Sequence, residues 1–122
     1  MIKKKKIFVV AGESSGDQHA AKYITTHKKV NSNLEFSAIG QREIEKAGAE
    51  IIYNSEEISV VGIIEVVSKY NKIKNALKIA YRHIDERKPD LIILVDYVEF
   101  NLKIARYAKK NNIKILFYIC LL

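Results

Sequence analysis

The sequence predicts an α/β fold in which helices cover both faces of a parallel β-sheet. Two stretches, residues 7–11 (IFVVA) and 91–95 (LIILV), are apolar at every position. Such strands are typical of the middle of a parallel sheet, where helices bury both faces. Helical patterns alternate with these and with shorter strand-like segments, and that alternation indicates a doubly wound parallel sheet.

Length and composition favour one domain with a core of its own. The chain has 122 residues, of which 48% are hydrophobic, too many for a disordered chain. The single cysteine, Cys120, excludes an internal disulfide, suits a cytosolic setting and is expected in a buried strand. The net charge of +7 favours an anionic partner: nucleic acid, acidic lipid headgroups or a phosphorylated substrate.

The first strand, residues 7–11, is followed by the turn GESSGD at residues 12–17 and a helical pattern over residues 18–29. Either Asp17 or Ser15 is the expected N-cap. This arrangement places free backbone N–H groups and the positive end of a helix dipole at the carboxyl edge of the sheet.

The middle of the chain predicts two short strands and a long basic helix. The strands are residues 35–39 and 50–53, separated by a short helix over residues 41–47 that ends at Gly48. A helical period then covers residues 60–84, and its polar face carries five cations: Lys69, Lys72, Lys74, Lys78 and Arg82. This helix either packs on the core with a solvated basic face or lies on an anionic membrane surface.

Residues 88–90 (KPD) end that helix, and the strand at residues 91–95 runs into the turn DYVEFN at residues 96–101. The next helix has four inward positions: Phe100, Ile104, Ala105 and Ala108. A third apolar strand is predicted for residues 113–122. No stretch reaches the ~18 apolar residues of a membrane span.

Topology predicts that the two acidic loops face each other. Right-handed crossovers give the strand order 3-2-1-4-5, which places the first strand beside the fourth at the topological switch point. Ligands bind at the carboxyl ends of the strands there. Asp96 and Glu13 could accept hydrogen bonds from sugar hydroxyls or take a proton from one. The alternatives are that Asp96 is a helix N-cap or a turn residue and that Glu13 is a charge in a solvated turn.

Three other site types have partial signals in the sequence. Residues 12–16 match G-x-S-x-G, the nucleophile elbow of serine hydrolases, for which His83 is the only later histidine. The dinucleotide fingerprint G-x-G-x-x-G is absent from that turn. His19 and His27 lack further ligands at metal-binding spacing, so no metal site is predicted.

Four motifs together resemble the lipid-A-disaccharide synthase family. They are residues 11–17 (AGESSGD), 60–66 (VVGIIEV), 88–90 (KPD) and 96–101 (DYVEFN), in the family's order and at similar spacing. The resemblance implies a GT-B glycosyltransferase with two Rossmann-like domains. Such an enzyme joins UDP-2,3-diacylglucosamine to 2,3-diacylglucosamine 1-phosphate with inversion, releasing UDP, at the cytosolic face of the inner membrane.

The place of the loops at the switch point predicts roles for their residues. Asp96 ends a buried strand there and is the predicted general base, with Glu13 or Glu99 as the alternative. The predicted substrate-binding residues come from both loops: Glu13, Ser15, Gly16, Asp17, Glu99 and Asn101. No cofactor and no nucleic acid partner is implied. The family's D-x-P-x-F-N pattern with a second Asp is altered here to Val98 and Glu99, so the turn loses its proline.

Residues 1–122 are therefore expected to form a single Rossmann-like domain similar to the N-terminal half of the synthase, without the C-terminal domain that holds the UDP-sugar. The isolated chain is expected to be inactive, to bind UDP poorly and to self-associate. The resemblance implies a lipid substrate and peripheral contact with an anionic membrane. The alternative is a non-catalytic basic α/β module that binds anionic lipid or sugar phosphate.

Overall fold

The computed structural model describes residues 4–59 and 66–119, in which strands and helices alternate. The elements are β1 (Lys5–Ala11), α1 (Ser14–Val30), β2 (Leu34–Gly40), α2 (Arg42–Lys46), β3 (Glu50–Asn54), α3 (Glu56–Ser59), α4 (Val66–Arg87), β4 (Leu91–Val95), α5 (Val98–Lys110) and β5 (Lys114–Tyr118). The motif at residues 60–66 lies outside the described residues except for Val66, as do Cys120 and the chain end at residues 121–122.

The five strands form one sheet in the order β3-β2-β1-β4-β5, and every pairing is parallel. The predicted order and the central position of the first strand are confirmed. Ile7 pairs with Phe36 of β2 on one side and with Leu91 of β4 on the other. Because β1 has a partner on each edge and a helical layer on each face, its apolar run is fully buried.

Alternate residues of the central strands contribute to two separate cores. Phe8 and Val10 point to the layer of α4 and α5, where they pack in a cluster with Ile84. Val9 and Ala11 point the other way and join a cluster with α1 and α2. Successive side chains of a strand point to opposite faces, and both faces of β1 are buried, so every position in this run is apolar.

Helix α1 begins at Ser14, so the predicted start at Gln18 is wrong. Its N-cap residue is Glu13, which makes no side-chain capping hydrogen bond, and neither Asp17 nor Ser15 is the cap. Gly16 accounts for the difference, because its lack of a side chain lets the first turn pack onto the end of β4. A Cβ at Gly16 would lie 3.3 Å from Cγ1 of Val95.

The other helix boundaries follow local chemistry. The polar residues after β3 form the short helix α3, and Asn54 Oδ1 accepts a hydrogen bond from the N–H of Glu56 at 2.9 Å. Helix α4 ends at Arg87, and Lys88 takes a left-handed φ of 46° before Pro89. Gly48 has a φ of 103°, as a residue that ends a helix in the left-handed region should.

Strand β5 is only half-buried, although its sequence predicts a strand buried on both faces. As the last strand in the sheet order it is an edge strand. Ile115 and Phe117 pack against the core beside α5, whereas Leu116 and Tyr118 on the opposite face are 43% and 46% exposed. Among the described residues no helix covers that face of β5.

His83 is a buried histidine on α4. It is 8% exposed, its Nε2 lies 2.7 Å from Ser37 Oγ, and its ring centroid lies 4.7 Å from that of Phe8. Burial lowers the pKa of His83 below its ordinary value of 6.5, and Arg87 lowers it further, while Glu50 and Glu86 act in the opposite direction. The folded protein therefore favours the neutral imidazole.

The free energy of unfolding is expected to fall as the pH drops below about 6.5, since the unfolded state then binds a proton that folded His83 does not. One such proton gives a slope of at most about 1.4 kcal/mol per pH unit, and the loss ends below the folded-state pKa. Urea denaturation of the wild type and His83→Gln at several pH values measures the slope. An unchanged slope in His83→Gln would rule the account out.

Candidate active site

The two acidic loops meet at the carboxyl edge of the sheet, as the strand order predicts. Ala11 pairs with Val95 at the ends of β1 and β4, so the residues after them are neighbours. The aromatic ring of Tyr97 lies directly on the backbone of Gly12, and a Cβ there would come within 2.7 Å of Tyr97 Cγ. Gly12 is therefore required by the close approach of this ring, and Tyr97 joins the two loops.

The turn after β4 is a strained segment that positions Asp96. Asp96 and Tyr97 have φ values of 48° and 41°, the left-handed region that residues with a side chain seldom adopt. Backbone strain of this kind costs roughly 1–3 kcal/mol per residue and is common at functional sites. The helix-cap alternative for Asp96 is wrong, because the N-cap of α5 is Tyr97; Asp96 is a turn residue.

Asn101 holds this turn in place. Its Nδ2 donates to the carbonyl oxygens of Val95, at 3.2 Å, and Asp96, at 2.8 Å. The N–H of Asp96 in turn donates to the carbonyl oxygen of Tyr118, at 2.9 Å. Asn101 is fully buried, and its side chain supports the backbone of the Asp96 turn; the substrate contact suggested by the sequence stays a prediction.

Three carboxylates lie around the crevice in different environments. Asp96 is half-buried, whereas Glu13 and Glu99 are exposed. Burial raises the pKa of the Tyr97 phenol, and the negative charges of Glu13 and Glu99 raise it further. Both glutamates therefore act on the same ring from the two loops, and the crevice is an acidic site with one half-buried carboxylate.

Asp17 was predicted to bind substrate, but the structure gives it a different role. It is 2% exposed, and its Oδ1 accepts the N–H of Gln41 at 2.7 Å and the N–H of Ile44 at 3.3 Å. Its Oδ2 accepts the N–H of Glu43 at 2.9 Å. The carboxylate thus caps α2, whose first N–H groups have no acceptor within the helix. The motif aspartate joins two helices and does not reach the crevice.

The remaining predicted contacts lie in the first turn of α1. Ser15 is exposed there, while Gly16 is buried against β4 and can offer only its backbone. Ser14 Oγ donates to Gln41 Oε1 at 3.1 Å, which ties this turn to the end of β2. Sequence reasoning passed over Gln41 and Tyr97. Tyr97 lies within the predicted turn at residues 96–101, and Gln41 follows the predicted strand at residues 35–39 by two positions, so their place at the carboxyl edge of the sheet was the available signal.

The serine hydrolase alternative is wrong. His83 contacts Ser37, next to the core that contains Phe8, whereas Ser14 and Ser15 begin α1 on the other side of the sheet. A nucleophile needs its base within hydrogen-bond reach, so these groups cannot form a catalytic pair. Within residues 4–59 and 66–119, no group of three or more His, Cys, Asp or Glu is arranged to hold a metal ion. No helix described there is both long and apolar enough to span a bilayer.

Sequence comparison relates the chain to one family. The sequence profile of the lipid-A-disaccharide synthetase family matches residues 7–121. The lipid-A-disaccharide synthase of Nitrosococcus oceani is 44% identical over 113 residues, which cover 93% of this chain and 29% of that protein. Synthase 1 of Legionella pneumophila is 41% identical over 93% of the chain and 30% of its own length. The Coxiella burnetii synthase is 34% identical over a segment that covers 94% of this chain and 31% of that protein.

Structure comparison supports the fold. The glycotransferase of kitacinnamycin superposes with a TM-score of 0.66 at 12% identity, covering 97% of this chain and 31% of that one. The calicheamicin glycosyltransferase CalG4 superposes with a TM-score of 0.58 at 14% identity, covering 98% and 33%. At these identities the likeness shows a shared Rossmann-like fold. The chain thus spans about 30% of the length of the curated relatives it matches.

Proposed function

Because the chain belongs to the lipid-A-disaccharide synthase family, we propose that residues 1–122 form the acceptor-side, N-terminal domain of an inverting glycosyltransferase. The reaction transfers 2,3-diacylglucosamine from UDP-2,3-diacylglucosamine to 2,3-diacylglucosamine 1-phosphate. The observation that carries the proposal is the strained turn at Asp96 and Tyr97, held by Asn101 at the switch point of the sheet.

Asp96 is the general base in this scheme. Its carboxylate takes the proton of the acceptor hydroxyl as the hydroxyl oxygen bonds to the anomeric carbon of the donor. The bond from that carbon to UDP breaks, and UDP leaves with the electron pair. Attack from the face opposite UDP gives inversion. A rigid turn holds the carboxylate of Asp96 in position before the reaction, and this orientation toward the acceptor hydroxyl contributes to the rate.

The exposed residues of the two loops hold the acceptor sugar. Glu13 and Glu99 accept hydrogen bonds from its hydroxyl groups, and Ser15 together with the backbone of Gly16 supplies donors at the start of α1. In the relatives the larger part of the protein lies outside the matched segment, and we assign UDP-sugar binding to that part. This division explains why an acidic crevice is tolerated in an enzyme with two phosphorylated substrates.

A chimera provides the test: this chain replaces the matched N-terminal segment of the Nitrosococcus oceani synthase. We expect radiolabelled disaccharide from the chimera, and neither product nor strong UDP binding from the 122-residue chain alone. A folded chimera without transfer would argue against the proposal. Turnover by the chain alone would show that the donor is bound within these residues.

We also propose that the basic face of α4 attaches the protein to an anionic bilayer, at the cytosolic face of the inner membrane. Lys74, Lys78 and Arg82 are exposed along this face, and Lys72 lies 4.0 Å from Glu57. Each cation near an anionic surface contributes about 1 kcal/mol, and salt screens the attraction. A non-catalytic lipid-binding module would share this face but would have no use for the positioned Asp96.

Co-sedimentation with vesicles containing anionic lipid is expected to decrease as salt increases. Reversing two charges, in Lys74→Glu with Lys78→Glu, should weaken binding about tenfold or more, because two attractions become repulsions. Lys109→Glu with Lys110→Glu on α5 is the matched control and should bind nearly as the wild type. Equal sedimentation with neutral and anionic vesicles would contradict the electrostatic attachment.

A further inference from the structure

A cavity of about 340 Å³ lies on the sheet face beside α1, between that helix and the edge strand β5. Its floor is apolar and includes Val9, Ile93 and Leu116, and Ala20 and Tyr23 of α1 form a wall. The volume is within the range of small-molecule sites. The exposed Leu116 described above is therefore part of a concave apolar surface, a shape that suits a ligand.

One end of the cavity adjoins the candidate active site. Val95 and Tyr118 line it, and both lie at the carboxyl ends of their strands. Asp96 directly follows Val95, and its N–H is bonded to the carbonyl oxygen of Tyr118 at 2.9 Å. A molecule whose polar part lay at Asp96 could therefore extend an apolar part into the cavity without leaving the protein surface.

The rim is polar and cationic. Lys22 and Thr26 are exposed on α1 at the cavity edge, and the described residues that line the cavity include no carboxylate. From His19 to His27, which both line the cavity, α1 rises about 12 Å at 1.5 Å per residue. The cavity is thus an elongated apolar groove with a positive edge, which complements an amphiphile with an anionic head.

We propose that this groove binds one acyl chain of the acylated, anionic acceptor sugar. The inference rests on the proposed function for the nature of the ligand, while the groove itself rests on the structure. Leu116, Ile93 and Val9 contact the chain, and Lys22 lies near the phosphorylated head. The groove would make chain length a determinant of acceptor affinity, and it gives β5's exposed face a role.

A second apolar surface provides a matched comparison. Leu102 on α5 is 42% exposed, nearly the same as Leu116, and lines a groove between α5 and the start of β5 together with Ala105 and Ile115. That groove does not include Val95 or Tyr118 and so does not adjoin the turn of Asp96. If exposure alone attracted acyl chains, the two leucines would be equivalent.

Calorimetric titration of the 122-residue chain tests the proposal, with N-acetyl-, N-hexanoyl- and N-octanoylglucosamine 1-phosphate as probes. Affinity is expected to rise about fourfold per added methylene, the value for a fully buried group. Leu116→Asp should remove the dependence on chain length and weaken octanoyl binding tenfold or more. Thr26→Trp places a large side chain at the α1 edge of the groove and should likewise weaken octanoyl binding and remove the dependence on chain length. Leu102→Asp should bind all probes as the wild type does.

Affinity that does not depend on chain length would overturn the proposal, as would an equal loss in Leu102→Asp. It also fails if Leu116→Asp dissociates a dimer of the chain and leaves probe binding unchanged, because the groove would then be occupied by a second copy. These results are separate from transfer by the chimera. If the chimera is active and Leu116→Asp does not affect it, the acyl-chain groove is contradicted while the proposed synthase function stands. If the chimera is inactive but probe affinity still depends on chain length, the synthase function is contradicted while the groove stands.

Discussion

Asp96→Asn in the chimeric synthase is expected to lower kcat by about 10²–10⁴-fold, the usual loss when a positioned base is removed. Asparagine keeps the size of the side chain but cannot take the proton of the acceptor hydroxyl. The N–H of residue 96 and the bonds from Asn101 are retained because they involve the backbone, so the turn should keep its shape. KM for the acceptor should change much less than kcat.

Glu99→Gln and Glu13→Gln are the matched controls, because each removes one charge from the same crevice at an exposed position. Each is expected to lower kcat/KM by less than about tenfold, as loss of a single hydrogen bond to a sugar hydroxyl would. Steady-state transfer assays on the three variants show which carboxylate is the base. If Asp96→Asn retained near-wild-type turnover while Glu99→Gln lost it, the base would be Glu99.

Asp17→Ala is expected to destabilise the chain by about 3 kcal/mol. The substitution removes a carboxylate that accepts three backbone hydrogen bonds and leaves buried N–H groups without a partner. Each unsatisfied buried donor costs roughly 1–3 kcal/mol, and loss of a helix cap alone costs about 0.5–2 kcal/mol. Urea denaturation of the 122-residue chain gives the change in unfolding free energy.

Glu43→Ala is the control for Asp17→Ala. Glu43 lies on the same short helix, its side chain is 48% exposed, and its contact with Lys46 spans 3.8 Å. Its removal should change stability by less than about 0.5 kcal/mol, as is usual at a surface position. Equal effects of the two substitutions would show that the buried carboxylate does not hold α2.

Much of the fold could be predicted because the apolar pattern and the topology rules act at the level of whole elements. Residues 91–95 were identified with their observed bounds, since LIILV lies between Pro89 and the polar turn that starts at Asp96. The contact between the loops of Gly12 and Tyr97 followed from the handedness of crossovers rather than from any local signal. Those rules depend only on the order of strands and helices.

Other features depended on tertiary contacts that no local pattern reports. Helix α1 starts at Ser14 because Gly16 packs on β4, whereas glycine is locally unfavourable within a helix. Asp17 caps a helix that is remote in sequence, so its position in a motif at the site's edge suggested ligand contact instead. The left-handed turn at Asp96 has no glycine or proline signal, since Asn101 stabilises it from five residues away.

The central position of β1 has a consequence for synthesis on the ribosome. Its first partner, β2, follows within about thirty residues, but Ile7 pairs with Leu91 on the other edge, roughly eighty residues later. At 5–20 residues per second, about 4–16 s pass between translation of these two segments. During that time the apolar run of β1 has an open edge in the nascent chain, so a chaperone that binds extended apolar segments should associate with it until β4 emerges.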